Sequence, residues 1–314
     1  MNNIFIFLMI IIIIIIITII IIIISTPTTI TFDFVKQMET FKSQRGDAEN
    51  LDEQNSPEDD IYVLSYDNEN PHVTNTKNLI FLLHYFQFPH IKICGQGQPW
   101  TGWAGRMKSY ISELSLFPNK SAYVVVCDGR DVLVNNTYST FQTNALALYK
   151  EAGNKIIFGA ERYCIFNYCN DVHKYIYRKY KVHQCGKYAT EDFYLNFGLA
   201  FGQVSQFLSL FESFNTDKPK FDDQEECAVA NEKEQQFFMD YKQIIFGNTF
   251  NTDGDCTLRV LYDKEDAILE FTKYNTTPAF MHFPGKDECY YAAMTMMEDN
   301  ILSGDDDDDG DERG

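Results

Sequence analysis

The stretch "YVVVCDGRDVLVNN", residues 123 to 136, runs from strand-forming residues directly into two aspartates and then back into apolar residues. The uninterrupted apolar run before Asp128 predicts a buried β-strand. In a sheet of parallel strands flanked by helices, ligands bind at the carboxyl ends of the strands, which is where Asp128 and Asp131 would lie. The two aspartates fit a solvated turn or a helix cap as well, so other parts of the chain have to decide between these interpretations.

Strand-like and helix-like segments alternate on both sides of this stretch. Short runs rich in strand formers are separated by segments with helical spacing of apolar residues, such as Met107, Ile111 and Leu114. This alternation predicts βαβ units and therefore an α/β fold with a mostly parallel sheet. The predicted strands are residues 61–66, 90–95, 122–128 and 155–161, and the predicted helices are residues 76–86, 104–117 and 138–150.

The two ends of the chain differ in composition from its body. Residues 4–24 are uncharged and almost entirely apolar, and they are long enough to cross a bilayer as a helix. We interpret residues 1–24 as a signal-anchor or a cleaved signal peptide, residues 25–60 as an acidic stem or linker, and residues 301–314 as a disordered acidic tail. The domain, residues 61–300, is then expected in the lumen of the endoplasmic reticulum or Golgi as part of a single-pass membrane protein, or secreted if the segment is cleaved.

The cysteines and the N-glycosylation sequons agree with a secretory route. No two cysteines form a C-x-x-C pair, which argues against a zinc site, and we expect at least two of them to be disulfide-bonded. The cysteines are Cys94, Cys127, Cys164, Cys169, Cys185, Cys227, Cys256 and Cys289, and the sequons begin at Asn119, Asn135 and Asn275.

The charge of the chain restricts its partners. The formal net charge is −19 at pH 7, and it is still −13 without the seven acids and one arginine of the tail. Nucleic acid is therefore not expected as a partner. An acidic body that handles an anionic substrate needs a metal cation to bridge the two.

A series of segments in one order carries a family resemblance. They are "GQGQPWTGWAGRMKSYISEL", "YVVVCDGRDVLV", "KIIFGAERYC", "FYLNFGLAFG", "FDDQEE", "FFMDYKQIIFGNTFN" and "MHFPGK". Over about residues 61–290 the chain resembles the glycosyltransferase domain of procollagen lysyl hydroxylases and its stand-alone relatives. The resemblance implies a GT-A-type fold, which is a Rossmann-like, mixed but mostly parallel sheet flanked by helices. It also implies a UDP-sugar donor, a divalent cation, usually Mn²⁺, and a protein or glycan acceptor such as hydroxylysine of collagen-like protein.

The resemblance assigns a metal site and a diphosphate site. Asp128 and Asp131 match the family's aspartate pair, and His282 matches its third protein ligand of the metal. Gly285 and Lys286 would lie beside the diphosphate, where the lysine supplies a fixed cation. Without the resemblance, His282 is better explained as a histidine that is hydrogen-bonded between a strand and a loop.

The segment "FDDQEE" is assigned to the acceptor side of the site. Asp222 and Asp223 would face the acceptor, where a carboxylate could hold a hydroxyl or take its proton, and Asp223 is preferred for that role. Gln224 of the same segment is assigned to the donor. A lone DDQ sequence also fits a solvated turn.

Four further residues are candidates for contacts to the donor. Ser65 and Tyr66 are candidates for the uracil by their position at the end of the first strand, and Asn196 resembles a contact to the donor sugar. Trp100 lies in a glycine-rich loop that could close over the nucleotide or the acceptor, or could simply pack under the loop.

Two departures from the family pattern concern the acceptor. Ile165 and Phe166 stand where the family commonly has tryptophan and proline, and the loop from His282 to Lys286 is shorter than in the family. These departures keep open a second interpretation, a nucleotide-sugar-binding module without catalysis. A third is a purely structural, membrane-tethered protein.

Overall fold

The computed structural model describes the central part of the chain and several segments after it. All of these segments lie in the compact unit Ser56–Gly314. The described residues are 60–68, 76–161, 194–234, 237–249, 256, 258–263, 266–285 and 288–301.

The described residues form six helices and eleven strands. The helices are α1 (Lys77–Tyr85), α2 (Trp103–Ser115), α3 (Tyr138–Glu151), α4 (Val204–Glu212), α5 (Asp223–Glu234) and α6 (Glu288–Ile301). The strands are β1 (Ile61–Tyr66), β2 (His90–Cys94), β3 (Tyr123–Asp128), β4 (Val132–Val134), β5 (Ile156–Glu161), β6 (Tyr194–Gln203), β7 (Phe237–Asp240), β8 (Phe246–Asn248), β9 (Leu258–Asp263), β10 (Asp266–Phe271) and β11 (Phe280–His282).

The central sheet has six strands in the order β2-β1-β3-β6-β5-β7. β1 pairs in parallel with β2 and β3, and β5 pairs in parallel with β7. β6 runs antiparallel to both of its neighbours, β3 and β5. The predicted α/β fold with a mostly parallel sheet flanked by helices is therefore confirmed.

Both faces of this sheet are buried, which explains the apolar run before Asp128. Val125 and Cys127 point into the hydrophobic cluster that includes residues of α1, α3 and β11. Val124 and Val126 point into the opposite cluster, which includes residues of α2, α4 and α5. A strand covered on both faces needs an apolar residue at every position rather than at alternate ones.

A second, three-stranded sheet has the order β4-β11-β8 and brings a distant segment to the end of β3. β4 follows β3 after a short turn, and β11 pairs antiparallel with β4 so that His282 lies opposite Val132. On its other side β11 pairs in parallel with β8, with His282 opposite Asn248. The histidine and both aspartates are thereby held at one end of the central sheet.

The described residues contradict the predicted localisation as a single-pass membrane protein of the endoplasmic reticulum or Golgi. Among them, no helix combines the length and the apolar character needed to span a bilayer. The apolar segment 4–24, the stem and the acidic tail lie outside the described residues.

The predictions for the cysteines and sequons have different outcomes. The expected disulfide is confirmed between Cys256 and Cys289, whereas Cys164, Cys169 and Cys185 lie outside the described residues. Of the sequons, Asn119 and Asn275 are exposed. Asn135 is fully buried, and its amide bonds to the backbone of Leu269 and Pro278. The folded domain therefore offers no access to the Asn135 side chain.

Candidate active site

The turn after β3 places Asp128 and Asp131 at the carboxyl end of the strand. It packs tightly against the end of β1, because a Cβ on Gly129 would lie 2.1 Å from Cγ2 of Thr76 and 2.8 Å from Oγ of Ser65. A side chain at position 129 would push the turn away from β1. The turn is also joined to β11, since the backbone N–H of Phe283 donates to the carbonyl of Asp131 at 2.8 Å.

His282 completes a cluster with these two aspartates. Its Nε2 lies 3.6 Å from Oδ2 of Asp128 and 3.6 Å from Oδ1 of Asp131. One ligand atom of each residue lies within 4.8 Å of the others. Ligand oxygens lie about 2.0–2.6 Å from hard divalent cations, so ligands on opposite sides of one ion can be about 4–5 Å apart. The structure thus brings together the three residues that the sequence analysis assigned to a metal.

Two asparagines determine which nitrogen of His282 faces the aspartates. Nδ1 lies 2.9 Å from Oδ1 of Asn196 and 3.0 Å from Oδ1 of Asn248. Further hydrogen bonds distinguish the oxygen from the nitrogen of each side-chain amide. Oδ1 of Asn196 accepts from the backbone N–H of Gly198, and Nδ2 of Asn248 donates to the carbonyl of Ala160. Nδ1 therefore carries the hydrogen, and the lone pair of Nε2 points at the carboxylates, as a metal ligand requires.

Gly198 provides the space for the imidazole. A Cβ at this position of β6 would lie 2.3 Å from Cε1 and 2.5 Å from Nδ1 of His282. A side chain at position 198 would overlap the imidazole of His282, so no shift of another neighbouring residue could make room for it. Gly198 is thus required for the imidazole of His282 to occupy its position next to β6.

The charge of the cluster favours a cation at Nε2. Burial lowers the pKa of His282, but the carboxylates of Asp131 and Asp128 outweigh this effect, so the pKa of His282 is raised. Because Nδ1 already holds a hydrogen, the additional proton would bind at Nε2. A divalent cation and a proton would therefore compete for the same atom.

Arg106 of α2 connects this cluster to α5, and the sequence analysis did not assign it. Its guanidinium forms an ion pair with Asp128, and its Nε and Nη2 donate to Oδ2 of Asp223 at 2.9 and 2.7 Å. The rings of Trp103 and Phe197 pack against it, with centroids 4.4 and 5.3 Å from Cζ. The attraction of both carboxylates outweighs burial and raises the pKa of Arg106, so the residue remains charged.

A signal for Arg106 is present in the sequence. Arg106, Tyr110 and Leu114 follow one another at intervals of four residues, and all three are buried on one face of α2. An arginine in such an apolar stripe needs buried acidic partners. The sequence does not say which of the many acidic residues they are.

Asp222 and Asp223, the predicted acceptor-side carboxylates, make different contacts. Asp223 is only 2% exposed, and its Oδ1 accepts from the backbone N–H of Gln224 at 3.0 Å while its Oδ2 is held by Arg106. Burial raises the pKa of Asp223 to about 6, against the opposing effect of Arg106. Asp222 caps α5, since its Oδ1 accepts from the backbone N–H of Glu225 at 2.9 Å. Their role as a general base stays a prediction.

Gln224 ties α5 to the central sheet. Its Nε2 donates to Oε1 of Glu161 at 2.8 Å, and its Oε1 accepts from the backbone N–H of Phe197 at 3.1 Å. These bonds hold the start of α5, and with it Asp222 and Asp223, next to β5 and β6. A contact of Gln224 to a ligand stays a prediction.

The glycine-rich loop carries exposed aromatic rings beside the site. Trp100 and Trp103 are 46% and 41% exposed, and their rings are perpendicular at 5.0 Å. Trp100 also lies 5.9 Å from the ring of Tyr66 at the end of β1. The other uracil candidate, Ser65, is fully buried under Gly129.

Of the predicted diphosphate residues, Gly285 donates its backbone N–H to Oδ2 of Asp131 at 3.3 Å. Lys286 lies outside the described residues. Its assignment to the diphosphate stays a prediction.

No family model and no curated protein matches the chain. Among solved structures, a glycosyltransferase involved in glycosylation of the major capsid of PBCV-1 aligns over 75% of this chain and 98% of its own, with 10% identity and a TM-score of 0.41. Mouse xyloside xylosyltransferase 1 aligns over 73% and 86%, with 10% identity and a TM-score of 0.35. A Francisella tularensis 2-C-methyl-D-erythritol 4-phosphate cytidylyltransferase aligns over 57% and 88%, with 12% identity and a TM-score of 0.34. Likenesses at these scores carry no information about substrate or reaction.

Proposed function

We propose that this chain is a metal-dependent glycosyltransferase that moves a sugar from a UDP-sugar to a hydroxyl acceptor. The observation that carries the proposal is the cluster of Asp128, Asp131 and His282, in which Nε2 is oriented toward both carboxylates. The cluster lies at the carboxyl end of a sheet strand, and α/β proteins bind their ligands at that edge of the sheet.

The residues fit a hard divalent cation such as Mn²⁺. Two carboxylates and one neutral imidazole are ligands that such cations accept, and the bonds from Asn196 and Asn248 keep the imidazole in the required tautomer. When bound, the cation would neutralise the charge that develops on the diphosphate leaving group.

The nucleotide is proposed to lie at the ends of β1 and β2. Tyr66 and Trp100 form an aromatic group there, and planar rings stack on nucleobases. Uridine is the nucleoside that the resemblance to the procollagen lysyl hydroxylase glycosyltransferase domains implies. Lys286 is proposed to contribute its charge to the diphosphate.

The acceptor is proposed to approach from the start of α5. Asp222 suits a general base better than Asp223, because both oxygens of Asp223 accept hydrogen bonds from the protein. Burial raises the pKa of Asp222, which is the direction that strengthens a carboxylate base. Hydroxylysine of collagen-like protein is the acceptor class that the resemblance implies.

A screen of UDP-sugars for UDP release, with and without Mn²⁺, tests this function. We expect release that requires Mn²⁺ and is lost in His282→Ala, whereas Asp217→Ala should behave as the wild type because Asp217 is 87% exposed. Release that is independent of Mn²⁺, or unaffected by His282→Ala, would contradict the proposal.

Both oxygens of Asp223 already accept hydrogen bonds from the protein, and this favours one alternative function, a nucleotide-sugar-binding module without transfer. In that case the folded protein would bind UDP in the presence of Mn²⁺ and release no UDP from any UDP-sugar, whether or not acceptors are added. Calorimetric titration with UDP alongside the release assay separates the two functions.

A further inference from the structure

We propose that Arg130 and Asp67 form a brace that sets the position of the metal ligands Asp128 and Asp131. Arg130 lies in the turn between the two ligands, and Asp67 follows β1 directly. We call this ion pair the Asp67–Arg130 brace. The inference rests on the proposed metal site and goes beyond it by assigning positioning residues.

The brace holds the middle of the ligand turn. Nη2 of Arg130 donates to Oδ1 of Asp67 at 3.1 Å and to Oδ1 of Asn68 at 2.7 Å. The Arg130 side chain is 28% exposed and that of Asp67 only 4%, so the pair is partly shielded from water. A partly buried, charge-assisted contact of this kind is less screened than a surface ion pair.

Asp67 is itself anchored, so it can act as a fixed point. Its Oδ2 accepts from the backbone N–H of Thr76 at 3.3 Å and from the Thr76 hydroxyl at 3.0 Å. Its backbone N–H donates to the carbonyl of Cys94 at 2.9 Å. The carboxylate is therefore held by the start of α1, while its backbone is held by the end of β2.

The same threonine also touches the turn directly. The methyl group of Thr76 occupies the space that a side chain at Gly129 would need. Packing thus holds Gly129 against the end of β1, and the ion pair with Asp67 holds Arg130 there. The residues on either side of them are the two carboxylates that would bind the cation.

Removing Arg130 should have opposite effects on Mn²⁺ affinity, depending on whether the residue acts as a brace or only as a positive charge. As a charge alone, Arg130 repels a cation at the neighbouring carboxylates, so removing it would strengthen Mn²⁺ binding. As a brace, it holds the carboxylates in place, so removing it would weaken Mn²⁺ binding. Partners that orient metal ligands typically account for about 10- to 100-fold in metal affinity.

The experiment is a titration of the folded, nucleotide-free protein with Mn²⁺, followed by calorimetry. We expect Arg130→Met to bind Mn²⁺ about 10- to 100-fold more weakly than the wild type. Arg130→Lys keeps the charge, but its side chain is one atom shorter and should not reach the two oxygens that Nη2 contacts, so it should also bind more weakly, by a smaller factor. Lys108→Met, which removes an exposed ion pair to Asp217, is the matched control and should bind as the wild type.

A double-mutant comparison shows whether the two residues act together. If the brace exists, Asp67→Asn should weaken Mn²⁺ binding, and adding it to Arg130→Met should cause little further loss. Thermal unfolding without Mn²⁺ establishes that each variant is folded at the titration temperature. If Arg130→Met does not fold, Arg130→Lys decides, and unchanged Mn²⁺ affinity in that variant overturns the brace.

The outcomes separate this inference from the proposed function. If the wild type binds Mn²⁺ and Arg130→Met binds it equally or more tightly, the brace is wrong and the proposed function stands. If the wild type itself does not bind Mn²⁺, the brace and the proposed metal site fail together.

Discussion

The two aspartate pairs of the site differ in what their oxygens contact. Asp128 and Asp131 are partly exposed at the end of β3, and an oxygen of each lies 3.6 Å from the nitrogen of His282. Asp223 is buried and its oxygens accept from Arg106 and a backbone N–H, while Asp222 caps α5. In the first pair, one oxygen of each aspartate is directed at the same nitrogen of His282, which leaves a shared position for a cation. In the second pair, the bonds to Arg106 and to backbone N–H groups fix the start of α5.

Arg106 is the residue that joins the two pairs. It contacts Asp128 on one side and Asp223 on the other, and two aromatic rings pack against it. Arg106 therefore links α5 directly to the end of β3, in addition to the bonds that Gln224 makes to β5 and β6.

The largest effect is expected for the first pair. Alanine at Asp128 or Asp131 should lower activity by at least about 10²- to 10³-fold, because a preorganised electrostatic contact is worth that much and a metal site at least as much. The UDP-release assay measures the loss of activity, and titration of UDP with and without Mn²⁺ on folded variants measures the loss of metal-dependent binding. If UDP binding still depends on Mn²⁺ when both Asp128 and Asp131 are alanine, the first pair does not bind the cation, and the functional difference between the two pairs is lost.

Arg106→Met should destabilise the domain strongly, because it leaves the buried Asp223 carboxylate without its charged partner. Removing one partner of a buried ion pair typically costs about 3–5 kcal/mol in the free energy of unfolding. Denaturant unfolding of Arg106→Met, with Lys108→Met as the exposed control on the same helix, measures this. A loss under about 1 kcal/mol would show that Asp223 does not depend on the arginine.

Asn248→Ala should weaken Mn²⁺ binding by about 10- to 100-fold, since His282 would lose one of the two acceptors that orient it. Asn248→Asp keeps an acceptor for Nδ1–H and should retain more of the affinity. Calorimetric titration with Mn²⁺ compares the two variants. Equal affinity in Asn248→Ala and the wild type would mean that Asn196 alone sets the tautomer.

Asp223 should make stability fall as pH rises from about 4 to about 6. In the folded state its pKa is about 6, and in the unfolded chain it is about 3.9, so between these values the folded state binds more protons. The contribution is fully present below about pH 4 and is lost above about pH 6, with a slope of at most about 1.4 kcal/mol per pH unit. Asp223→Asn should lack this component, and unfolding curves at several pH values of the wild type and the variant test it.

The smallest effect is expected for Asp222→Ala, if stability alone is considered. Loss of the cap of α5 should lower the free energy of unfolding by about 0.5–2 kcal/mol. Asp222→Asn keeps a capping oxygen and should restore most of this stability. If Asp222 is also the base, Asp222→Asn should remain stable and lose sugar transfer, which unfolding and UDP-release assays together reveal.

Much of the fold could be predicted because local patterns determine it. The strand predicted at residues 61–66 is β1, and the helix predicted at residues 138–150 differs from α3 by one residue. The antiparallel direction of β6 could not be predicted, because a buried strand has the same apolar composition in either direction. The order of the strands likewise depends on contacts between segments far apart in the chain.

The candidate site divides in the same way. The sequence by itself determined that carboxylates follow a buried strand, that a histidine lies in a later apolar segment, and that an arginine lies in the apolar stripe of α2. The family resemblance assigned His282 to the same site as Asp128 and Asp131. Only the tertiary structure decided that Asn196 and Asn248 orient the histidine and that Arg106 pairs with both Asp128 and Asp223. The physical reason is that residue type and spacing control local conformation and burial, whereas partnership between charged groups depends on distances that arise only when β4, β8 and β11 pair and α2 and α5 pack on the sheet.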